Sequence, residues 1–158
     1  MIRVAIVGAG RIGAVHANAL KHIKNCKLTA TSDPLEEAAL TLTKGHEANV
    51  LSVDDVAASS GIDAVIIYSP TDVHAHQIEM FARAGKSVFC EKPVDLDSTR
   101  VRDCLDAVDE LGATLMIDFN RGFDPHFMGL KAAIESGRIG TPGMGIITSR
   151  DPGAPPAD

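Results

Sequence analysis

A glycine pattern directly after a strand-like run at the N-terminus constrains the fold of this chain most strongly. The apolar run at residues 2–7 is followed by Gly8, Gly10 and Gly13 in a G-x-G-x-x-G spacing, and helical periodicity begins at once. Gly8 would permit a tight turn, Gly10 the close approach of a diphosphate to the backbone, and Gly13 close packing of helix against strand. This context predicts the first strand, turn and helix of a dinucleotide-binding fold.

Short apolar runs alternate with helical segments along the rest of the chain. Several runs are apolar on both faces, as in a parallel sheet that helices cover on both sides. The alternation predicts an α/β fold with a doubly wound parallel sheet, the Rossmann fold. The predicted strands are residues 2–7, 27–32, 48–51, 63–69, 87–90 and 114–119.

Helix boundaries are marked by caps between these strands. Ser52, three residues before Asp55, is typical of a capping box at the start of a short helix. Gly85 and Gly112 predict the ends of two longer helices, at residues 74–85 and 98–112. In the helix after the glycine turn, the spacing predicts one apolar face made by Ile12, Val15, Ala19, Leu20 and Ile23.

The last forty residues follow a different pattern. We expect a helix within residues 124–140, ended by Gly137, and a seventh strand at residues 143–149. The tail from Arg150 is rich in proline and glycine and cannot extend either element. The predicted domains are therefore a dinucleotide-binding domain, residues 1–120, and a helix, strand and connector toward a further domain, residues 121–158.

Composition excludes several classes of partner. The 158 residues carry a net charge of -6 and show no basic stripe, which argues against nucleic acid. No run approaches the roughly eighteen apolar residues of a membrane span, and no targeting segment is evident. The three cysteines lack C-x-x-C spacing, so neither a disulfide framework nor a zinc site is indicated. We expect a cytoplasmic protein.

An acidic chain can still bind a diphosphate at a helix N-terminus. The unpaired backbone amides there, including those of Arg11 and Ile12, carry partial positive charge. Asp33, about twenty residues after Gly13, is placed to bind the adenosine ribose and would repel a 2′-phosphate, which favours NAD over NADP. Asp33 could instead cap the helix that begins at Pro34, and the two roles can coexist.

The segment YSPTDVHAHQ follows the fourth predicted strand. Ser69, Pro70 and Thr71 would let the backbone pass beside the cofactor, because ligands of open α/β sheets bind outside the carboxyl ends of the strands. His74 and His76 are two residues apart and would face different sides of a helix, so a metal pair is not expected. His74 is a candidate cofactor contact; a structural or solvated histidine is the alternative.

The segment FCEKPVDLD follows the fifth predicted strand and raises the possibility of a catalytic lysine. Lys92 would lie at the same edge of the sheet as the glycine turn, where its ammonium could hydrogen-bond a substrate hydroxyl during hydride transfer. Glu91 would hold the lysine or a neighbouring backbone group, and Pro93 would force the turn, with a cis Lys92–Pro93 bond. From this segment alone, a surface lysine in a loop is the simpler interpretation.

Four segments in order, GAGRIG, SPTDVHAHQ, EKP and FNRGFDP, resemble the Gfo/Idh/MocA family of oxidoreductases. The segments MIDFNRGFDPHF and ITSRDP are most similar to its inositol 2-dehydrogenase branch. The resemblance implies an NAD-dependent dehydrogenase that oxidises a secondary alcohol of a cyclitol or sugar, with Lys92 at the active site and Asn120 at the cofactor site. The branch commonly has two arginines after this asparagine, whereas here Arg121 is followed by Gly122.

The resemblance also implies a C-terminal substrate domain, missing here, whose histidine in a D-x-x-x-H spacing takes the hydroxyl proton. We therefore expect the chain to be truncated, to show little turnover alone, and to form homo-oligomers through uncovered apolar surface. The alternative is a stand-alone NAD-binding or regulatory module. Another Rossmann reductase, of the semialdehyde or biliverdin type, is disfavoured by the EKP segment.

Overall fold

The computed structural model describes residues 1–150 and divides into two units, Met1–Phe119 and Asn120–Asp158. The first unit contains a six-stranded parallel sheet with the order β3-β2-β1-β4-β5-β6. The strands are β1 (Ile2–Val7), β2 (Cys26–Ser32), β3 (Asn49–Val50), β4 (Ala64–Ile67), β5 (Ser87–Cys90) and β6 (Leu115–Ile117). The predicted doubly wound sheet is confirmed.

Five helices of the first unit connect these strands. They are α1 (Arg11–Leu20), α2 (Glu36–Thr43), α3 (Val53–Ala58), α4 (His74–Arg83) and α5 (Ser98–Glu110), and a 3₁₀ turn, Thr71–Val73, precedes α4. The predicted capping box is confirmed, because the Ser52 hydroxyl accepts a hydrogen bond from the Asp55 amide at 3.1 Å and donates one to its carboxylate at 2.6 Å. Gly85 and Gly112 have positive φ angles just after α4 and α5, as C-terminal caps require.

Helices cover the sheet on both faces, and β1 shows the alternation that makes this possible. Val4 and Ile6 pack toward α1 and α2, whereas Ala5 and Val7 belong to the core formed with α3, α4 and α5. All four side chains are at most 3% exposed. A strand buried on both faces is the expected consequence of helical crossovers on both sides.

The face of α1 that packs on the sheet differs from the predicted one. Gly13, Ala17 and Leu20 are the buried positions, whereas Val15 and Ile23 are about half exposed, at 56% and 48%. Small residues at positions 13 and 17 let the helix lie close to β1, and that close approach, rather than the count of apolar residues, decides the buried face.

The second unit contains a 3₁₀ turn, Asn120–Phe123, and helix α6 (Pro125–Glu135). Asp124 caps this helix, because its carboxylate accepts a hydrogen bond from the His126 amide at 2.8 Å, and Gly137 follows the helix with a positive φ. The predicted strand at residues 143–149 is wrong: these residues pair with no other strand within residues 1–150. A strand needs a neighbour for its backbone hydrogen bonds. Most of the predicted connector, residues 151–158, lies outside the described residues.

Candidate cofactor site

The turn between β1 and α1 requires glycine at two of its three glycine positions. Gly8 has a φ of +98°, and a Cβ atom there would lie 2.3 Å from the carbonyl carbon of Tyr68. A Cβ atom on Gly13 would lie 2.2 Å from the Gly8 carbonyl oxygen. Both positions therefore keep the helix and the neighbouring strand close to the turn, as the sequence predicted.

Gly10 differs from the other two glycines because a side chain at this position would extend into open space. No atom lies within 4 Å of a Cβ built at this position, and its φ of -71° would suit any residue. Gly10 is the N-cap of α1, which has no side-chain cap and no acidic residue in its first turn. A diphosphate group fits this position, because the backbone amides of Arg11 and Ile12 can donate to it and Gly10 has no side chain to keep it away from the backbone.

Asp33 follows β2 and contacts the glycine turn directly. Its Oδ2 atom accepts a hydrogen bond from the Ala9 amide at 2.7 Å, and its Oδ1 atom accepts one from the Leu35 amide at 2.8 Å. The predicted capping role of Asp33 is wrong, because α2 begins at Glu36 with Leu35 as its N-cap and has no side-chain cap hydrogen bond. Each carboxylate oxygen can accept a second hydrogen bond, so the structure leaves the ribose contact available.

A cleft of about 630 Å³ opens at the carboxyl ends of β1, β2 and β4. The gap between β1 and β4 is where the strand order reverses, the position at which open α/β sheets bind ligands. No arginine or lysine of residues 1–150 lines this cleft. Its walls bring together several predicted site residues, namely Gly8, Gly10, Asp33, Ser69 and Pro70, with residues that sequence reasoning missed, namely Val7, Ser32, Pro34, Val53, Tyr68, Asp72, Val73 and Gln77.

The loop after β4 is held by its own side chains. The Ser69 hydroxyl donates a hydrogen bond to Gln77 Oε1 at 2.6 Å, and Gln77 is only 9% exposed on the first turns of α4. Pro70 precedes the 3₁₀ turn that begins at Thr71. Gln77 lies three residues after His74, so their shared helix face was the one signal in the sequence that could have indicated it.

His74 is buried between two loops instead of facing a ligand. Its side chain is 1% exposed. The Nε2 atom lies 2.7 Å from the Ser69 carbonyl oxygen, and the Nδ1 atom lies 2.8 Å from the Pro93 carbonyl oxygen. Both ring nitrogens are thus engaged by the protein, which corrects the predicted direct cofactor contact in favour of the structural alternative.

Lys92 lies in the turn after β5 and is exposed. The Lys92–Pro93 peptide bond is cis, as predicted. The pairing of β5 with β4 extends into this turn, because the Glu91 amide donates a hydrogen bond to the Ile67 carbonyl at 3.0 Å. Since β1, β4 and β5 are consecutive in the sheet, Lys92 starts roughly 10 Å from the glycine turn along this edge. It does not line the 630 Å³ cleft, and the Glu91 carboxylate forms no ion pair within residues 1–150.

An aromatic and acidic cluster that the sequence did not reveal lies at the same edge. The His16 ring on α1 stacks on Tyr68 with centroids 4.6 Å apart, and its Nε2 atom lies 3.6 Å from the Asp118 carboxylate. The Tyr68 hydroxyl is buried and has no hydrogen-bond partner among the described residues. Burial, with the charge of Asp118 as a lesser cause, raises the pKa of this phenol above its ordinary value.

Asn120 begins the 3₁₀ turn of the second unit and is exposed. It lines a small cleft of about 220 Å³ together with Arg121, Phe123 and Asp124. The Arg121 guanidinium stacks over the Phe127 ring at 5.2 Å from its centroid, which is a contact within this unit. The role of Asn120 at the cofactor site stays a prediction.

Residues 1–150 contain neither a cluster of metal ligands nor a membrane-spanning helix. No group of three or more histidine, cysteine or acidic side chains is arranged to hold a metal ion in this part of the chain. No helix there is long and apolar enough to cross a membrane.

Comparison with known proteins identifies the family to which this chain belongs. Residues 2–119 match the family described as "Oxidoreductase family, NAD-binding Rossmann fold". An inositol 2-dehydrogenase of Rhizobium meliloti is 51% identical over 157 residues, which cover 99% of this chain and 48% of that protein. The chain therefore spans about half the length of the curated relatives it matches.

Solved structures agree with the fold and the cofactor. A putative myo-inositol dehydrogenase from Sinorhizobium meliloti superposes with a TM-score of 0.86 at 49% identity, over 89% of this chain and 43% of that one. A scyllo-inositol dehydrogenase from Lactobacillus casei, solved with NAD(H) and scyllo-inositol bound, superposes with a TM-score of 0.83 at 33% identity, over 89% and 42%. The predicted cofactor, NAD, is confirmed by the matched family and by this neighbour.

Proposed function

Because this chain belongs to the Gfo/Idh/MocA oxidoreductase family through its NAD-binding Rossmann fold, we propose that it is the cofactor-binding part of an NAD-dependent dehydrogenase. The reaction is hydride transfer between a secondary alcohol of a cyclitol or sugar and NAD. The observation that carries the proposal is one cleft that joins the glycine turn, Asp33 and the loop after β4, at the same sheet edge as Lys92.

NAD, when bound, accepts the hydride; the residues of this chain hold and orient the reactants. The backbone amides at the start of α1 bind the diphosphate, and the open side of Gly10 leaves space for it. Asp33 holds the adenosine ribose through the acceptor capacity that remains beyond its bonds to Ala9 and Leu35. The bond to Ala9 also fixes the glycine turn before any ligand arrives.

Lys92 acts on the substrate. Its exposed ammonium donates a hydrogen bond to the hydroxyl oxygen and stabilises the negative charge that develops there as the proton leaves. The family resemblance assigns removal of that proton to a histidine of the substrate domain. A positioned general base contributes about 10²- to 10⁴-fold to the rate, so Lys92 alone would support little turnover.

The substrate class follows from the relatives rather than from a pocket in this chain. Several of the proteins matched over nearly its whole length are named inositol, myo-inositol and scyllo-inositol dehydrogenases, which supports a cyclitol. Self-association of the chain stays a prediction from the sequence.

Gly10 offers a direct test, because a side chain there meets no protein atom but would enter the diphosphate position. Titration with NADH, followed by fluorescence, should give a Kd at least 10-fold higher for Gly10→Val than for the parent chain. Gly129→Ala, on α6 and also in open space, should leave the Kd unchanged. Circular dichroism should show both variants folded. A folded Gly10→Val chain that binds NADH as tightly as the parent would contradict the proposal.

A further inference from the structure

The buried ring of His74 joins two loops that the proposed function uses separately. One of its nitrogens contacts the carbonyl oxygen of Ser69, in the loop that lines the cofactor cleft. The other contacts the carbonyl oxygen of Pro93, in the turn that carries Lys92. The two contacts, at 2.7 and 2.8 Å, are within hydrogen-bond range.

These two contacts together specify a protonation state. A carbonyl oxygen can only accept, so each contact needs an N–H on the ring. A neutral imidazole has one N–H and one lone pair, and would place that lone pair against a carbonyl oxygen in a buried site. Only the doubly protonated ring of His74 satisfies both partners.

Burial by itself disfavours a charged ring, so the two hydrogen bonds to carbonyl oxygens are what must stabilise the positive charge of His74. No carboxylate within residues 1–150 forms an ion pair with His74. The thiols of the surrounding core are neutral, because burial raises the pKa of Cys90 to about 12 and also raises the pKa of Cys104. The titratable or charged groups on the elements around the ring include Asp72, His76 and Glu79 along α4 and the turn before it, Tyr68 after β4, Cys90, Glu91, Lys92 and Asp95 at the end of β5 and after it, and Arg100 and Cys104 on α5.

We propose that His74 is a positioning residue: a doubly protonated clasp that holds the Lys92 turn against the cofactor loop. The inference deepens the proposed function and rests on it for the role of Lys92. The clasp fixes Pro93, the residue next to Lys92, relative to Ser69. The distance between the Lys92 turn and the cofactor cleft is thereby held constant along the sheet edge. Loss of either ring proton would release one of the two loops.

The charge state can be measured without a variant and without a cofactor. Chains carrying ¹⁵N-labelled histidine are examined by NMR at pH 7, and the ring signals of His74 are assigned through bonds from its own Cβ atom. The proposal predicts that both ring nitrogens of His74 carry protons that exchange slowly, whereas the His76 ring, on the same helix but less buried, shows fast exchange. A single protonated nitrogen on His74 at pH 7 would overturn the clasp.

The positioning role needs a second readout at Lys92. Lysines are converted to ¹³C-dimethyl-lysine, and the Lys92 signal is identified from a Lys92→Arg sample. His74→Gln, whose amide nitrogen can donate to one loop while its amide oxygen cannot donate to the other, should shift and broaden the Lys92 signal, whereas His76→Gln should leave it in place. An unchanged Lys92 signal in folded His74→Gln would refute the positioning role.

These measurements separate the clasp from the proposed function. Both are made without NADH, so they report on His74 whether or not the cofactor binds. If NADH binds but the ring holds one proton, the clasp fails and the proposed function stands. If both ring protons are present but NADH does not bind, the clasp stands as a structural link and its catalytic role fails.

Discussion

Asp33 accepts a hydrogen bond from the Ala9 amide across 2.7 Å, so the end of β2 is tied to the glycine turn that follows β1. This bond makes the residue proposed to select the ribose also a support of the diphosphate loop. A substitution at Asp33 should therefore affect both cofactor discrimination and overall affinity. The two effects can be separated by the choice of replacement.

Asp33→Asn should lower the preference for NADH over NADPH. The amide oxygen can still accept from Ala9, but the charge that repels a 2′-phosphate is lost. A hydrogen bond to a charged group contributes about 1.5–3 kcal/mol, so we expect the NADH preference to fall about 10-fold or more. Asp33→Ala, which also loses the tie to Ala9, should weaken both cofactors. Equal binding of NADH and NADPH by the parent chain in fluorescence titrations would show that Asp33 does not select the cofactor.

Lys86 should contribute strongly to stability although it lies far from the proposed chemistry. It is 8% exposed, and its ammonium donates hydrogen bonds to the carbonyl oxygens of Ser59 and Ile62 after α3. Lys86→Met would leave both carbonyls unpaired and should lower the free energy of unfolding by about 3 kcal/mol. Urea denaturation measures this loss. The matched control, Lys24→Met at an exposed position, should change stability by less than about 0.5 kcal/mol; equal effects of the two substitutions would refute the assignment.

The Arg3–Asp63 pair should give a pH-dependent contribution to stability. Hydrogen bonds from the Arg3 side chain, then from its backbone amide, hold the pKa of Asp63 well below its ordinary value. A depressed folded-state pKa stabilises the fold above the ordinary carboxyl pKa of about 4 and loses that effect as pH falls through the folded-state value. The stability difference between the parent and Asp63→Asn should thus be present at pH 7 and shrink below about pH 4.

The same comparison has an internal control in Asp106→Asn, an exposed position on α5. Denaturation curves of this variant should follow those of the parent at every pH at which the chain folds. Because the Arg3–Asp63 pair is exposed, its contribution is modest. A difference for Asp63→Asn that grows toward low pH would contradict the sign of the linkage.

Thiol reactivity should rank the three cysteines by burial. Burial raises the pKa of Cys90 to about 12 and raises that of Cys104, and neither side chain is exposed. Cys26 is partly exposed. A thiol reagent at pH 8 should modify Cys26 first and reach the other two only in urea, because the thiolate is the reactive form. Rapid modification of all three in the folded chain would contradict this packing.

Local pattern in the sequence is enough to predict the glycine turn and its edge of the sheet. Gly8, Gly10 and Gly13 follow a strand and open a helix, so the turn and its ligand class can be inferred from residue spacing alone. Parallel strands end at one edge of a sheet, which places Ser69 and Lys92 at the same edge as that turn. These predictions need only the order of elements along the chain.

Features that depend on backbone groups distant in the chain could not be predicted from the sequence. The partners of His74 are carbonyl oxygens five and nineteen residues away, and a carbonyl leaves no mark on the sequence. The α1 face was mispredicted because Gly13 and Ala17 pack by being small, which a hydrophobicity count overlooks. The segment at residues 143–149 has strand composition, but strand formation depends on a partner that the local sequence does not specify.

The central claim is that one bound dinucleotide spans the glycine turn and reaches Lys92. The most direct measurement is the rate of Lys92 acylation by an amine-reactive reagent, followed by peptide mass spectrometry with and without saturating NADH. We predict that NADH slows acylation of Lys92 in the parent chain, leaves exposed Lys24 unaffected, and gives no protection of Lys92 in Gly10→Val. Equal acylation of Lys92 with and without bound NADH would contradict the account.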